Sequence, residues 1–271
     1  MTETSQAGNP ADLFRLDGRT HLVLGAGSGI GAEVSATIVA LGGQVLCLDT
    51  NGEAVTEVAA RLRMPHLVAD ATTEDGIAAA QAKVRSEFGE LDGVVDIIGR
   101  MLPAEISDYG LDQWDADFDI NLKHAILAGS RLAPQLPDGA SMVFVSSVAG
   151  NHGSLVSPGY GPTKAALEVW VKQLAARYGR RGIRVNAVAP GLFLSPRMSA
   201  RLDRDPAAAK LAEWPLLGRF GRPEEVAATI AFLLSPAAGY ITASTIPVEG
   251  GGLSQDSTGL DSMNSMRLNR S

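Results

Sequence analysis

Tyr160 and Lys164 stand four residues apart in Tyr160-Gly161-Pro162-Thr163-Lys164, and Ser147 stands 13 residues before the tyrosine. Residues four apart on a helix share a face, so this spacing can set an ammonium beside a phenol. A free tyrosine has a pKa of about 10, and a fixed positive charge nearby favours the phenolate, moving the group towards the working range of a general base. Taken alone, the pair is equally an ordinary exposed helix pair. The segments around it decide between the two readings.

One of those segments offers anion-binding chemistry. Leu24-Gly25-Ala26-Gly27-Ser28-Gly29-Ile30-Gly31 follows a strand-like run and opens a helical pattern. Glycines let the backbone turn tightly and approach a diphosphate, while the helix start supplies amide donors and the positive end of a dipole. Gly25, Gly27, Ser28, Gly29, Ile30 and Gly31 are therefore the candidate cradle, and the spacing Gly-x-x-x-Gly-x-Gly is more specific than a glycine-rich turn alone. Asp49 closes the next strand, 18 residues after Gly31. A carboxylate there can accept hydrogen bonds from both hydroxyls of an adenosine ribose and would repel a 2′-phosphate. Neither Ser28 nor Thr50 offers a cation for that phosphate, so the expected cofactor is NAD rather than NADP. The bland alternative makes Asp49 a turn former. Asp70, followed by Ala71, ends the third strand, where it can reach an adenine or simply shape a turn.

These residues need a frame. Short β-type runs at 21–24, 44–48, 66–69, 93–98, 141–145, 184–188 and 245–248 alternate with helical patterns near 29–41, 53–62, 74–88, 112–132, 158–178 and 224–234. After Tyr160, the residues Leu167, Val171, Leu174 and Tyr178 recur at helical spacing as a core-facing stripe. Such alternation predicts an α/β fold: a doubly wound, Rossmann-type, seven-stranded parallel sheet with helices on both faces, in a single domain. The expected organisation is a flexible N-terminal segment 1–15, a dinucleotide-binding domain 16–252 with a substrate lid at 192–222, and a polar tail 253–271.

Composition narrows the function classes. At 271 residues, 45 % hydrophobic and 20 % charged, the chain can fill a substantial core. A net charge of −7 speaks against nucleic-acid binding, which wants a basic face. No apolar run approaches the roughly 20 residues of a membrane span, and the N-terminus lacks a signal-peptide pattern, so a cytoplasmic protein without membrane contact is expected. The sole cysteine, Cys47, lies in an apolar run and reads as a buried structural thiol. His21, His66, His124 and His152 lack metal-ligand spacing, and no metal is expected.

The glycine loop, Asn121, Ser147, Tyr160, Lys164 and Pro190-Gly191 occur in an order and spacing that resembles the classical branch of the short-chain dehydrogenase/reductase family. The likeness runs from about residue 16 to 252 and includes the segment Arg219-Phe220-Gly221-Arg222-Pro223 and the closing Val248-Glu249-Gly250-Gly251. It implies an NAD-dependent oxidoreductase acting on a small-molecule alcohol or ketone, with hydride passing directly between substrate and nicotinamide. Tyr160 would be the general base or acid, and Ser147 would hydrogen-bond the substrate oxygen. Lys164 would bind the nicotinamide ribose and depress the tyrosine pKa. Asn121 would position a water beside Lys164; an asparagine there can also simply bond backbone groups. Gly99, Pro190, Gly191, Leu192 and Ser195 would contact the cofactor, the last standing where the family commonly has threonine. The resemblance also implies a homo-oligomer, a dimer or tetramer paired through the helices near 112–132 and 158–178.

Some positions depart from the family pattern. Asp96-Ile97-Ile98-Gly99 stands where the family usually reads Asn-Asn-Ala-Gly, Leu24 replaces a threonine, and Ala243 replaces a glycine. Ile97 and Ile98 are expected to pack, one on the sheet and one towards the cofactor. Candidate pocket residues are Met101, Leu102, His152, Leu155, Val156, Phe193, Leu194, Met198 and Trp214. Their mostly apolar character points to a hydrophobic or alicyclic substrate, although each is individually a packing candidate and His152 a candidate solvated loop residue. Two competing functions are weighed against the alcohol dehydrogenase. A 3-oxoacyl-thioester reductase would call for NADPH and a basic patch, and a non-catalytic NAD-binding scaffold would call for loss of a catalytic residue, which has not happened.

Overall fold

A computed structural model describes residues 9–153 and 156–254. Seven strands, β1 (Thr20–Leu24), β2 (Gln44–Asp49), β3 (His66–Val68), β4 (Gly93–Asp96), β5 (Ser141–Val145), β6 (Arg184–Pro190) and β7 (Thr245–Val248), form one sheet in the order β3-β2-β1-β4-β5-β6-β7. Every neighbouring pair is parallel. The central strands β1, β5 and β6 are buried along their whole length, as strands covered on both faces must be.

Alternation along each strand sorts the core into two layers. Leu22, Leu24, Leu46, Leu48, Met142 and Phe144 face α3 (Glu74–Glu87) and α6 (Tyr160–Tyr178). Val23, Val45, Cys47, Val143 and Val145 face α1 (Gly29–Ala40), α2 (Gly52–Leu62) and α8 (Pro223–Leu234). Burial raises the Cys47 thiol pKa, in keeping with an inert core thiol. No helix among the described residues is long and apolar enough to cross a membrane.

Several boundaries differ from the sequence expectation. β4 stops at Asp96: Ile97 N still donates to Leu24 O of β1 at 3.0 Å, but Ile98 N turns back to Asp96 Oδ1 at 3.2 Å. The helix expected near 112–132 is not uniform. It begins as α4 (Leu111–Phe118), widens into a π turn (Asp119–Lys123), continues as α5 (His124–Leu127) and widens again (Ala128–Leu132). The connection at 192–222 carries α7 (Pro196–Arg204) and a 3₁₀ stretch (Pro206–Glu213). Within the segment expected to be flexible, Pro10–Phe14 form a 3₁₀ turn whose Phe14 ring lies 6.2 Å from that of Phe232. Residues 255–271 of the expected tail lie outside the described residues. Ala243 adopts φ 59°, a left-handed conformation disfavoured for any residue with a Cβ.

Candidate active site

The strand order reverses direction at the β1–β4 step, and the crevice beyond the strands' carboxyl ends at such a step is where an open α/β sheet can seat a ligand. On one side lies the glycine loop. Gly25 N and Ala26 N donate to Leu48 O at 2.8 and 2.9 Å, which folds the loop over β2. Ser28 precedes the first turn of α1 but its side chain makes no capping bond; Gly31 N donates to Ser28 O at 3.2 Å, and the Ser28 hydroxyl with the Gly29 and Ile30 amides forms the face suited to an anion. A Cβ on Gly31 would fall 2.0 Å from Gly25 O, so only glycine closes the loop this tightly. The loop therefore fits a dinucleotide diphosphate. Asp49 accepts from Gly27 N at 2.8 Å and from Asn51 N at 2.9 Å, so it fixes its own turn and also braces the loop. Asp70 accepts from Thr72 N and Thr72 Oγ1 at 2.8 and 2.7 Å, the turn-shaping alternative, while Ala71 is buried and offers only backbone.

On the other side, β5 delivers Ser147 and α6 begins at Tyr160. Ser147 Oγ accepts from Ala149 N at 3.2 Å, and its hydroxyl stands near enough to the Tyr160 phenol to favour the phenolate. The neighbouring Ser146 is structural: its hydroxyl donates to Glu168 Oε1 at 2.8 Å and lies 3.3 Å from Lys164 O. Lys164 is 1 % exposed, and its Nζ sits 5.8 Å from the Tyr160 ring centroid. Nζ donates to Val145 O at 2.9 Å and Ile98 O at 3.2 Å, the exits of β5 and β4.

The acid–base balance differs from the expectation that Lys164 depresses the phenol. Burial holds Tyr160 above the ordinary tyrosine value, and the forces drawing it back are the nearby Ser147 hydroxyl and the charge of Arg197. The Lys164 ammonium is turned to the two strand-end carbonyls, and its own pKa is lowered to about 8 by burial, with Asp96 opposing the fall.

Asn121 lies in the first π turn and is fully buried. Its Oδ1 accepts from Arg100 N at 2.7 Å, and its Nδ2 donates to Arg100 O at 3.0 Å and Asp117 Oδ1 at 3.3 Å. The side chain thus pins the loop after β4, the backbone-bonding alternative raised for it. Gly99 has a reason of its own: a Cβ there would lie 2.8 Å from Lys164 Nζ and 3.2 Å from Asn121 Oδ1. Ile97 and Ile98 do pack, in opposite core layers, and Ile97 also borders the cavity.

A single cavity is lined by Ile30, Gly99, Ser147, Tyr160, Lys164, Pro190, Gly191, Leu192, Phe193, Ser195 and Met198. Ser195 caps α7, its Oγ accepting from Met198 N at 3.2 Å. The start of the 192–222 connection also approaches the glycine loop, since a Cβ on Gly29 would lie 3.7 Å from Pro196 Cδ. Of the expected pocket residues, Phe193 and Met198 line this cavity, whereas Met101, Leu102, His152, Val156, Leu194 and Trp214 do not. The 3₁₀ turn Val148–Asn151 packs on Gly161 and leaves His152 in a separate groove with Ile106 and Pro162, and Met101 is exposed outside both. Leu102 O accepts from Ser157 Oγ at 2.8 Å, Val156 O accepts from Ala104 N at 3.0 Å, and Leu194 is exposed. Trp214 packs against Gly191 and Gly252. Leu155 lies outside the described residues.

The structure also brings in residues that sequence reasoning passed over. Arg197 acts on the Tyr160 phenol from α7; the signal was a cation two residues after Ser195. Asp117 links Tyr109 OH, at 2.7 Å, to Asn121, and this holds the Tyr109 phenol up at about 12, with burial the larger cause. His124 reaches Asp96 at 2.6 Å. Among the described residues, no group of three His, Cys, Asp or Glu side chains could hold a metal ion.

Comparison with known proteins gives this geometry a context. A family model described as enoyl-(acyl carrier protein) reductase matches residues 25–252. An uncharacterised short-chain type dehydrogenase/reductase of Sinorhizobium fredii is 36 % identical over 250 residues, which cover 89 % of this chain and 45 % of that longer one. The cis-4-hydroxycyclohexanecarboxylate dehydrogenase of Sinomonas cyclohexanicum is 36 % identical over 241 residues, covering 86 % of this chain and 96 % of its own. A solved 7α-hydroxysteroid dehydrogenase, complexed with NADH and 7-oxo-glycochenodeoxycholic acid, superposes with a TM-score of 0.85 at 26 % identity, covering 90 % of this chain and 98 % of that one.

Proposed function

The chain belongs to the classical short-chain dehydrogenase/reductase family, and from that premise we propose that it is an NAD(H)-dependent oxidoreductase interconverting a hydrophobic or alicyclic secondary alcohol and its ketone. The observation that carries the reading is the Ser147–Tyr160 hydroxyl pair set over a cavity that Lys164, Gly99 and the 190–195 segment also line. A nicotinamide bound there would supply the hydride acceptor or donor. Ser147 donates a hydrogen bond to the substrate oxygen and keeps it within reach of the phenol. The Tyr160 oxygen takes the alcohol proton in oxidation and returns it in reduction. Ser147 and the charge of Arg197 favour the phenolate form, Lys164 holds the ribose, and Asn121 keeps the Gly99-Arg100 backbone in place beside it.

Asp49 supports NAD over NADP, since a second negative charge on the ribose would meet a carboxylate. Preference for NAD in turn favours alcohol oxidation as the working direction. Two of the relatives act on or bind ring compounds carrying a carboxylic acid, and Arg197 is the cation that such a group would meet beside Tyr160. A 3-oxoacyl-(acyl-carrier-protein) reductase of Thermotoga maritima, 33 % identical over 249 residues, supports a second reading, a 3-oxoacyl-thioester reductase, against which the chain's net charge of −7 speaks. We further take residues 16–252 as the catalytic unit of a cytoplasmic homo-oligomer, to be checked by light scattering on purified protein.

The decisive experiment is a panel of alcohols, ketones and acetoacetyl-CoA assayed with NAD(H) and NADP(H) in parallel. Turnover of ring alcohols with NAD is expected. Binding of NAD without turnover of any panel member refutes the reading, and NADPH-dependent reduction of the thioester alone replaces it with the second one.

A further inference from the structure

The chemistry above makes no use of Asp96 and His124, yet their side chains meet in a fully buried charged contact. Their side chains are 0 and 1 % exposed, and Asp96 Oδ2 lies 2.6 Å from His124 Nδ1. The other carboxylate oxygen accepts from Ile98 N at 3.2 Å, and Ile98 O accepts from Lys164 Nζ at the same distance. A continuous path of bonds therefore runs from imidazole to carboxylate, through one residue's backbone, to the ammonium. A buried carboxylate is costly unless charge and hydrogen bonds compensate it, so this arrangement is not neutral packing.

The other titratable groups around Lys164 are engaged elsewhere or exposed. On α6, the Tyr160 phenol is influenced by Ser147 and Arg197, and Glu168 is bonded to Ser146. On α4, Asp117 is bonded to Tyr109 and Asn121. Arg100, after β4, is exposed, and Arg197 on α7 acts on Tyr160. Of these charges only Asp96 draws the lysine towards its protonated form, against the burial that would neutralise it.

We infer that Asp96, held by His124, is a positioning residue for the reaction: its buried negative charge keeps the Lys164 ammonium charged and fixed at the exits of β4 and β5. The asparagine usual at this position in the family offers a dipole, whereas a carboxylate offers a full charge and so sets how alkaline the site can become before Lys164 loses its proton. The inference rests on the proposed role of Lys164 in turnover, but its electrostatic half can be measured without turnover.

The test is Asp96→Asn, which keeps the shape and removes the charge, read in two ways. Lys164 is titrated by ¹³C NMR of Cε-labelled lysine in ligand-free protein, and the alkaline limb of the pH profile is recorded for alcohol oxidation. The lysine midpoint should fall by about one unit or more, with the alkaline limb following it and KM below the limb unchanged. An unchanged midpoint in a variant whose near-ultraviolet circular dichroism is native overturns the inference. Should the variant fail to fold, the wild-type chain still decides. The ¹³Cγ shift of Asp96 must report an ionised carboxylate between about pH 6 and 9, and a protonated Asp96 there overturns the inference as well. A shifted midpoint in a protein that turns over no panel substrate would uphold the Asp96–Lys164 coupling and refute the oxidoreductase reading alone.

Discussion

Removing the positive charge at Arg197 isolates one contribution to the acidity of Tyr160. Arg197 pulls the phenol down against burial, so Arg197→Leu leaves it higher, and the acid limb of the oxidation profile should move to higher pH. An unmoved acid limb would place the arginine outside the catalytic field. Tyr160→Phe is expected to lower kcat by about 10²–10⁴-fold, measured alongside unchanged NAD binding. Gly99→Ala makes a geometric test: its methyl would need the space 2.8 Å from Lys164 Nζ. A displaced ammonium should lower turnover by about 10²-fold, visible as a loss in kcat with the fold intact by circular dichroism. At this scale the sequence was legible wherever function rests on local spacing, as for Tyr160, Lys164 and the glycine loop. It was not legible for Asp96 and His124, which are 28 residues apart and meet only because helix and strand pack. His152 failed for the converse reason: nearness to Ser147 along the chain does not make it a neighbour of Tyr160 across a turn.

The elements show a similar division. Strand runs and the major helices follow from hydrophobic periodicity and end within a few residues of where it placed them. The two π turns could not be foreseen, because a single widened turn leaves the surrounding helical pattern almost unbroken, and such bulges often mark functional positions. One of them carries Asn121, buried and turned to the Arg100 backbone. Helix α7 did leave a signal in the sequence, since Ser195 as N-cap followed by Pro196 is a helix start. Reading 192–222 only as a lid, without assigning a helix to it, overlooked it. Ala243 carries an element-scale prediction. Its φ of 59° is strained for alanine and free for glycine, so Ala243→Gly should stabilise the chain by about 1 kcal/mol, less whatever its methyl contributes by packing. Urea unfolding checks it, and a destabilised variant would show that the packing dominates.

For the molecule as a whole, acid should weaken the fold through His21. This imidazole is buried at the start of β1 with its Nδ1 unpartnered among the described residues, and burial lowers its pKa from 6.5 to about 4. The fold therefore favours the neutral ring. Above about pH 6.5 neither state is protonated and the contribution is complete; as pH falls towards about 4 the unfolded chain takes up a proton that the fold refuses. The loss approaches about 3 kcal/mol, and His21→Gln should flatten the dependence of the urea midpoint on pH across that window. The same scale gives meaning to the strand order. Glycine loop and Asp49 belong to residues 20–49, while Ser147, Tyr160, Lys164 and the lid come from beyond β4, and the two groups meet only where β1 and β4 pair. A chain leaving the ribosome completes β1, α1 and β2 some 100 residues before Ser147 is made. Biogenesis should therefore pass through a stage that has the residues of a nucleotide cradle and no reaction, so a nicotinamide dinucleotide should protect the first segment of a stalled nascent chain from protease before any turnover is possible.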